Sequence, residues 1–299
     1  MYCMAKIASL LERLWEKTVR AGWYRKDYVS KENPVVIGGC ARSGTTLMRV
    51  MIDTHPDIYC GPETALLYLR TLTRRKIRKL SKKLEIPEEE LKAMIRDTGS
   101  YFSFVESLFD YLRERAGKPR WGDKSPQNVL HLDRMFHHFP EARFIHMIRD
   151  GRDTACSLRT FPRYKMLDSK RIELDTNNPL DQCIRRWVHD VEAGMRYRGD
   201  HRYFEVKYED LIESDKETLI RVFGFLGEPW DESVTKYYQI ESPGRSMDKM
   251  PQNPGATQPI YRTAYGRWRN EFTEEDKSVF KAIAGKLLVK LGYEEDDDW

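Results

Sequence analysis

The sequence of 299 residues predicts an α/β fold, and three observations carry that expectation. Val35, Val36 and Ile37 form a short apolar run halted by Gly38 and Gly39, which is the pattern of a buried parallel strand entering a tight turn. After the turn, Thr45, Thr46, Leu47, Met48, Met51 and Ile52 fall in a helix-compatible pattern. Farther on, Arg143 to Ile148 (RFIHMI) reads as an interior strand, with the polar turn RDGRD at its end and another helix after it.

Length allows one large domain with a sizeable core, and no linker-like stretch divides the chain. Hydrophobic residues at 40% and charged residues at 33% describe a soluble globular protein. A net charge of +4 is too small to point to nucleic acid unless the basic residues gather on one face. Cys3, Cys40, Cys60, Cys156 and Cys183 are odd in number and hold no C-x-x-C pair, so a disulfide framework or zinc site is not expected; a reducing, cytoplasmic location is. Residues 1–30 read as a basic amphipathic helix without a signal peptide's continuous apolar core. Packing on its own domain is preferred for it over a membrane surface or an acidic partner. No 18-residue apolar run occurs, so no membrane span is expected.

The loop between the first strand and helix carries the most specific chemistry. Gly39 and Gly44 have the spacing of a Walker loop, but Thr45 stands where that loop has its lysine, which argues against an ordinary ATPase or kinase. Arg42 lies inside the loop, and Ser43, Thr45 and Thr46 add hydroxyls. A cationic fork with hydroxyls at a helix start suits a terminal phosphate or sulfate better than a magnesium-bridged chain.

The stretch GGCARSGTTLMRVMIDTHPDIYCGPET resembles the opening of the PAPS-dependent sulfotransferases, above all the branch holding tyrosylprotein sulfotransferases and many bacterial enzymes. The resemblance implies a P-loop-like three-layer fold, with a mostly parallel central sheet flanked by helices. It implies a donor, 3′-phosphoadenosine 5′-phosphosulfate (PAPS), that leaves as PAP, and no metal. It places the 5′-phosphosulfate end on Arg42, Ser43, Gly44, Thr45 and Thr46. Ala41 departs from the family's usual proline but removes no ligand-binding group.

In order along the chain, Ile58-Tyr59-Cys60 reads as a very short strand delivering Gly61-Pro62-Glu63-Thr64 to a strand end, where open α/β sheets place their chemistry. By itself Glu63 is a helix-start carboxylate facing water; the resemblance implies the catalytic base. Residues 65–117 read as helical, including an amphipathic helix from Tyr101 to Arg115, and are expected to wall the acceptor site or simply cover the sheet. Trp121 to Pro126 ends the next strand. Lys124 there is either a solvated charge or, by resemblance, the lysine that steadies charge on the leaving bridge oxygen.

Arg149 and Ser157, eight residues apart, resemble the family's paired contacts to the donor's 3′-phosphate, although RDGRD also fits plain helix-start electrostatics. A further family arginine is replaced by Phe161, leaving Arg159 or Arg163 to supply that contact. Residues 162–179 read as a mobile loop, 181–198 as a helix, and 203–206 as a strand leading to Tyr208-Glu209-Asp210-Leu211. By resemblance Tyr208 lies near the adenine, a place compatible with its being a core aromatic. Two helices are expected at 219–226 and 230–238, and a last amphipathic one at 272–291. The stretch from Pro259 to Trp268 resembles the family's nucleotide clamp, with Arg267 at its basic position. The family's assisting serine has no clean match; Gln252 and Thr257 are nearest, and the role stays open. Residues 294–299 read as a solvated acidic tail.

The expected reaction moves a sulfuryl group to an acceptor hydroxyl of a small molecule, with a protein tyrosine as the alternative and a homodimer left open. A P-loop small-molecule kinase and an inactive nucleotide-binding scaffold are the rivals.

Overall fold

The computed structural model describes residues 22–167, 170–240, 253–260, 265–296 and 298–299. Five strands form one parallel sheet in the order β2-β3-β1-β4-β7: Ile58–Cys60, Arg120–Lys124, Val35–Gly39, Arg143–Ile148 and Tyr203–Lys207. Every pairing is parallel, with Val36 opposite Asp123 on one side and Phe144 on the other. All five residues of β1 are buried, which explains why the strand reads as a continuous apolar and glycine run rather than an alternating one. The chain leaves β1 for β2 and β3 on one side and then crosses to β4 on the other, so the order reverses beside β1. In open α/β sheets a crevice opens at such a switch point, beyond the carboxyl ends of the strands.

Successive β1 side chains feed opposite layers. Val36 joins Trp121 and Phe144 in a core closed by α4 (Tyr101–Arg115) and α5 (Leu132–His138). Trp121 stacks on Phe109 with ring centroids 4.5 Å apart, at the centre of that layer. Val35 and Ile37 pack on the other face against α1 (Thr45–Thr54), α8 (Tyr208–Glu213) and α9 (Asp215–Leu226). A third cluster joins Ile148 to α6 (Gly151–Arg159), α7 (Leu180–Met195), α10 (Trp268–Glu271) and α11 (Glu274–Lys290). Two further helices, α2 (Arg74–Leu84) and α3 (Glu88–Asp97), precede α4. Residues 65–117 are thus helical from Arg74 on, while 65–73 connect β2 to α2 without regular structure.

Several expectations need correction. Residues 162–179 are not a plain loop: Tyr164–Leu167 (β5) and Lys170–Glu173 (β6) pair as an antiparallel hairpin, which the flanking proline and the absence of a period concealed. The second of the two helices expected after residue 219 is a 3-10 helix, Glu232–Gln239. The acidic tail is not wholly solvated, because Glu294 forms an ion pair with Arg152 and Trp299 packs 4.4 Å from the same guanidinium. Arg152, also paired with Asp150 at 2.7 Å, is sandwiched against Trp268 at 3.9 Å. Of the N-terminal helix, residues 1–21 lie outside the described residues, as does Cys3; beyond them Trp23 meets Tyr101 edge-on at 5.6 Å and Tyr28 donates to Glu106 at 2.7 Å, so this segment packs on α4.

Candidate active site

The strand ends at the switch point open into a cavity of about 1230 Å³. Its floor is the turn from β1 to α1. Gly44 sits in the left-handed region at φ 86°, and an added Cβ would lie 2.5 Å from the Tyr208 ring, so a side chain there would displace Tyr208. Arg42 holds the same left-handed backbone at φ 77° without being glycine, a conformation that costs an L-residue about 1–2 kcal/mol. The α1 N-terminus has no side-chain cap and no acidic residue in its first turn. Its first-turn N–H groups therefore present an uncapped positive pole beside the hydroxyls of Thr45 and Thr46, which suits an anion.

Of the expected donor contacts, Arg42, Gly44, Thr45, Thr46, Arg149, Ser157, Tyr208 and Arg267 all line this cavity. Arg42 joins the two distant motifs by donating through Nε to Ser157 Oγ at 3.0 Å. Arg149 donates to the Arg42 carbonyl at 3.1 Å and lies 4.8 Å from the centre of the Tyr208 ring. Buried Asp153 pairs with Arg149 at 3.6 Å and accepts the backbone N–H groups of Gly266 at 2.8 Å and Trp268 at 3.1 Å. One carboxylate thus ties the RDGRD helix to the segment carrying Arg267. Arg267 makes a two-pronged contact with Glu271, at 2.6 and 2.9 Å.

Ser43 departs from expectation. It does not line the cavity; its N–H closes the turn on the Cys40 carbonyl at 3.2 Å, and its buried Oγ has no hydrogen-bond partner among the described residues. For the arginine replaced by Phe161, the geometry separates the two substitutes. Arg159 pairs with Asp276 of α11 at 3.3 Å, whereas Arg163 lines the cavity with Phe161. Gln252 lies outside the described residues, and so do residues 261–264 of the clamp. Thr257 falls in a short 3-10 helix, Pro254–Thr257. Just before it stands Asn253, whose Oδ1 accepts from Arg42 at 2.7 Å. No motif in the sequence singles that asparagine out.

Glu63 and Lys124 are brought together from different elements. Lys124 ends β3, and its Nζ lies 3.3 Å from Glu63 Oε2 and 3.2 Å from Thr46 Oγ1, so it bridges the loop side and the Glu63 side of the cavity. The Lys124 side chain is 5% exposed and that of Glu63 40%, so the cation is fixed in the wall while the carboxylate remains reachable. Burial pulls the Lys124 ammonium below the ordinary lysine range; the Glu63 carboxylate opposes this and the Arg49 guanidinium adds to it. Arg49, buried on α1, donates to the Cys60 carbonyl at 3.2 Å. Tyr68 lines the same end, its hydroxyl pushed up to about 12 by burial and then by Glu63.

The mouth on this side is formed by α2, RRKIRKLSKKL, which carries no acidic residue. Ile77, Leu80 and Leu84 are buried, while Lys76, Lys79, Lys82 and Lys83 border the cavity. Among the described residues two side-chain groups could gather a metal, Asp27 with His137 and His138, and His55 with Asp57 and Glu228. Neither borders the cavity, and the histidines already bond Asp27, Tyr28, Asp57 and Pro229.

The strand ends of a parallel sheet surround an uncapped helix start, two arginines and a buried lysine, an arrangement suited to an anionic group such as a phosphate or sulfate. The chain belongs to the sulfotransferase family, whose model matches residues 34–232. A protein-tyrosine sulfotransferase of Drosophila melanogaster is 27% identical over 273 residues, 89% of this chain and 52% of that protein. Protein-tyrosine sulfotransferase A of Caenorhabditis elegans is 26% identical, covering 90% of this chain and 69% of its own length. The chain therefore spans about half the length of the fly relative. Among solved structures, the sulfotransferase domain from the curacin biosynthetic pathway superposes with a TM-score of 0.64 at 19% identity, covering 86% of this chain and 97% of that one. The sulfotransferase domain of the Synechococcus PCC 7002 olefin synthase gives 0.61 at 22%, over 87% and 98%. These two similarities establish the fold. No helix among the described residues is long and apolar enough to cross a membrane.

Proposed function

We propose that this chain transfers the sulfuryl group of PAPS to a phenolic hydroxyl, that of a tyrosine in an acidic peptide. The observation that carries the reading is Lys124, held within 3.3 Å of both the Glu63 carboxylate and the Thr46 hydroxyl. In the reaction the acceptor oxygen forms a bond to sulfur as the bond from sulfur to the bridge oxygen breaks. Glu63 takes the acceptor proton, and Lys124 stabilises the charge left on the bridge oxygen. Arg42, Thr45 and Thr46 hold the 5′-phosphosulfate end, while Arg149 and Ser157 hold the 3′-phosphate, with Tyr208 and Arg267 beside the nucleoside. Placement and charge stabilisation carry the rate, as in phosphoryl transfer. The same residues hold PAPS as a donor without requiring a metal.

Of the two acceptors expected from sequence, the tyrosine is favoured by the relatives, which are named protein-tyrosine sulfotransferases. The lysines of α2 suit carboxylates flanking such a tyrosine. The lack of a membrane-length apolar run does not bear on acceptor chemistry. Labelled PAPS offered with an acidic tyrosine peptide, its Tyr→Phe version and a set of small phenols separates the two.

Donor identity has its own test. PAP at a hundred times its dissociation constant should add about 2.7 kcal/mol to stability, and Arg149→Ala should shrink that increment through loss of a charge-assisted contact. Stabilisation by magnesium ATP, with none from saturating PAP, would overturn the reading in favour of a kinase.

A further inference from the structure

Glu63 lies in the stretch between β2 and α2, which forms neither helix nor strand. Its place must therefore be set by contacts outside a backbone ladder. Three consecutive residues at the end of β3 supply them. The Thr64 hydroxyl donates to Asp123 Oδ1 at 2.8 Å, Lys124 donates to the Glu63 carboxylate, and the Ser125 hydroxyl oxygen accepts the Ala65 N–H at 3.2 Å. Thr64 Oγ1 also accepts the Leu66 N–H at 3.2 Å, which directs the hydroxyl hydrogen at Asp123. Asn128 Nδ2 donates to the other Asp123 oxygen at 3.0 Å. Asp123, Ser125 and Thr64 are all buried. Burial pushes the Asp123 carboxyl up, and the Asn128 and Thr64 donors oppose that rise.

The backbone bend itself is costly. Ala65 takes the left-handed region at φ 67°, unfavourable for a residue with a Cβ, and such geometry persists only where neighbours over-determine it. On the far side Lys83 of α2 donates to the Glu63 carbonyl at 2.7 Å. The segment's start is tied to α1, where Asp53 Oδ1 accepts the Cys60 N–H at 2.9 Å.

We infer that Thr64, Asp123 and Ser125 are positioning residues, a clasp that sets the bend at Ala65 and so delivers the Glu63 carboxylate to Lys124 and the acceptor. The inference rests on the proposed role of Glu63 as base. Asp123 and Ser125 do not line the cavity, and Thr64, which does, has its hydroxyl committed to Asp123 and the Leu66 N–H, so the three act through the backbone on which Glu63 is carried. A carboxylate that is 40% exposed has few packing contacts to restrain it, and a misplacement of about 1 Å costs up to about 10²-fold in rate.

The test is Thr64→Val, which keeps the shape and removes the hydroxyl, measured beside Thr64→Ser and Glu63→Gln. Thr64→Val should lower kcat by up to about 10²-fold, leave PAP affinity unchanged, and raise or leave the acceptor KM; Thr64→Ser should restore most of the rate. Where Thr64→Val does not fold, Ser125→Ala is read in the same way. Wild-type kcat in Thr64→Val, a kcat loss matched by an equal loss of PAP affinity, or no rescue by serine each overturns the clasp. An inactive Glu63→Gln beside a fully active Thr64→Val removes the clasp and leaves the base. Near-wild-type turnover in Glu63→Gln removes both.

Discussion

Glu63→Gln is expected to lower turnover by about 10² to 10⁴ while PAP still binds. Glutamine keeps the shape and much of the polarity of the side chain but cannot accept the acceptor's proton. The acceptor determines whether alkali rescues the variant. A phenol ionises near pKa 10 and becomes its own nucleophile, so a tyrosine acceptor should show partial recovery above about pH 9, and an aliphatic alcohol should not. Lys124 limits that recovery from above. Its ammonium already lies below the ordinary lysine range through burial, and Glu63, with a lesser contribution from Asp123, holds it up. Removing the Glu63 charge lets it fall further, so the window between phenol ionisation and Lys124 deprotonation narrows in the variant. Near-wild-type turnover at neutral pH, with chemistry shown to limit the rate, would leave Glu63 as an ion-pair partner of Lys124 and no more.

Lys124→Met should cost about 10²- to 10³-fold in kcat, the loss typical of removing one donor to developing charge, with PAP affinity nearly intact. The charge it meets grows only in the transition state, and contacts of that kind raise kcat rather than ground-state affinity. The sign of the pH dependence follows from the buried ammonium. The protonated form is the active one, so activity is present below the Lys124 pKa and lost as pH rises through it. Because burial lowers that pKa, the alkaline limb of wild-type kcat should fall short of the ordinary lysine value near 10.4, and the limb should be absent from the residual activity of Lys124→Met. Equal losses in PAP affinity and rate would make Lys124 a ground-state ligand instead.

How far the sequence spoke differs from one element to the next. β4 falls on the residues anticipated, Arg143–Ile148, because an interior parallel strand is a short apolar run with turn signals at both ends, and the three-residue edge strand β2 falls on Ile58–Cys60, set off by the turn signals His55-Pro56-Asp57 and Gly61-Pro62. α4 runs from Tyr101 to Arg115 as expected, where a capping box at Ser100 sets its start. The hairpin of β5 and β6 escapes a sequence reading because Tyr164–Leu167 and Lys170–Glu173 show no apolar/polar alternation, so no period of two announces a strand. The candidate residues that strand-end motifs pointed to, Arg42, Glu63, Lys124 and Arg149 among them, lie around one cavity. Asn253 and the carboxylate of Asp153 as a joint for Gly266 and Trp268 were not legible, since each acts on residues more than a hundred positions away. The burial of Ser43 shows the converse: a hydroxyl inside the motif whose N–H the turn itself consumes.

The lysine-lined mouth and the buried Lys124 ammonium respond to dissolved salt on different scales. Electrolyte screens fields beyond about 8 Å at physiological ionic strength, so Lys76, Lys79, Lys82 and Lys83 at the cavity mouth guide an anionic polypeptide only over about that last distance of its approach. That guidance acts on the frequency of productive encounters. Raising sodium chloride should therefore depress kcat/KM for an acidic peptide steeply while kcat holds, because Lys124, at 5% exposure, lies behind the protein's own low-dielectric wall. Capture of the acceptor is thus tuned by the surrounding medium, and the chemical step is insulated from it.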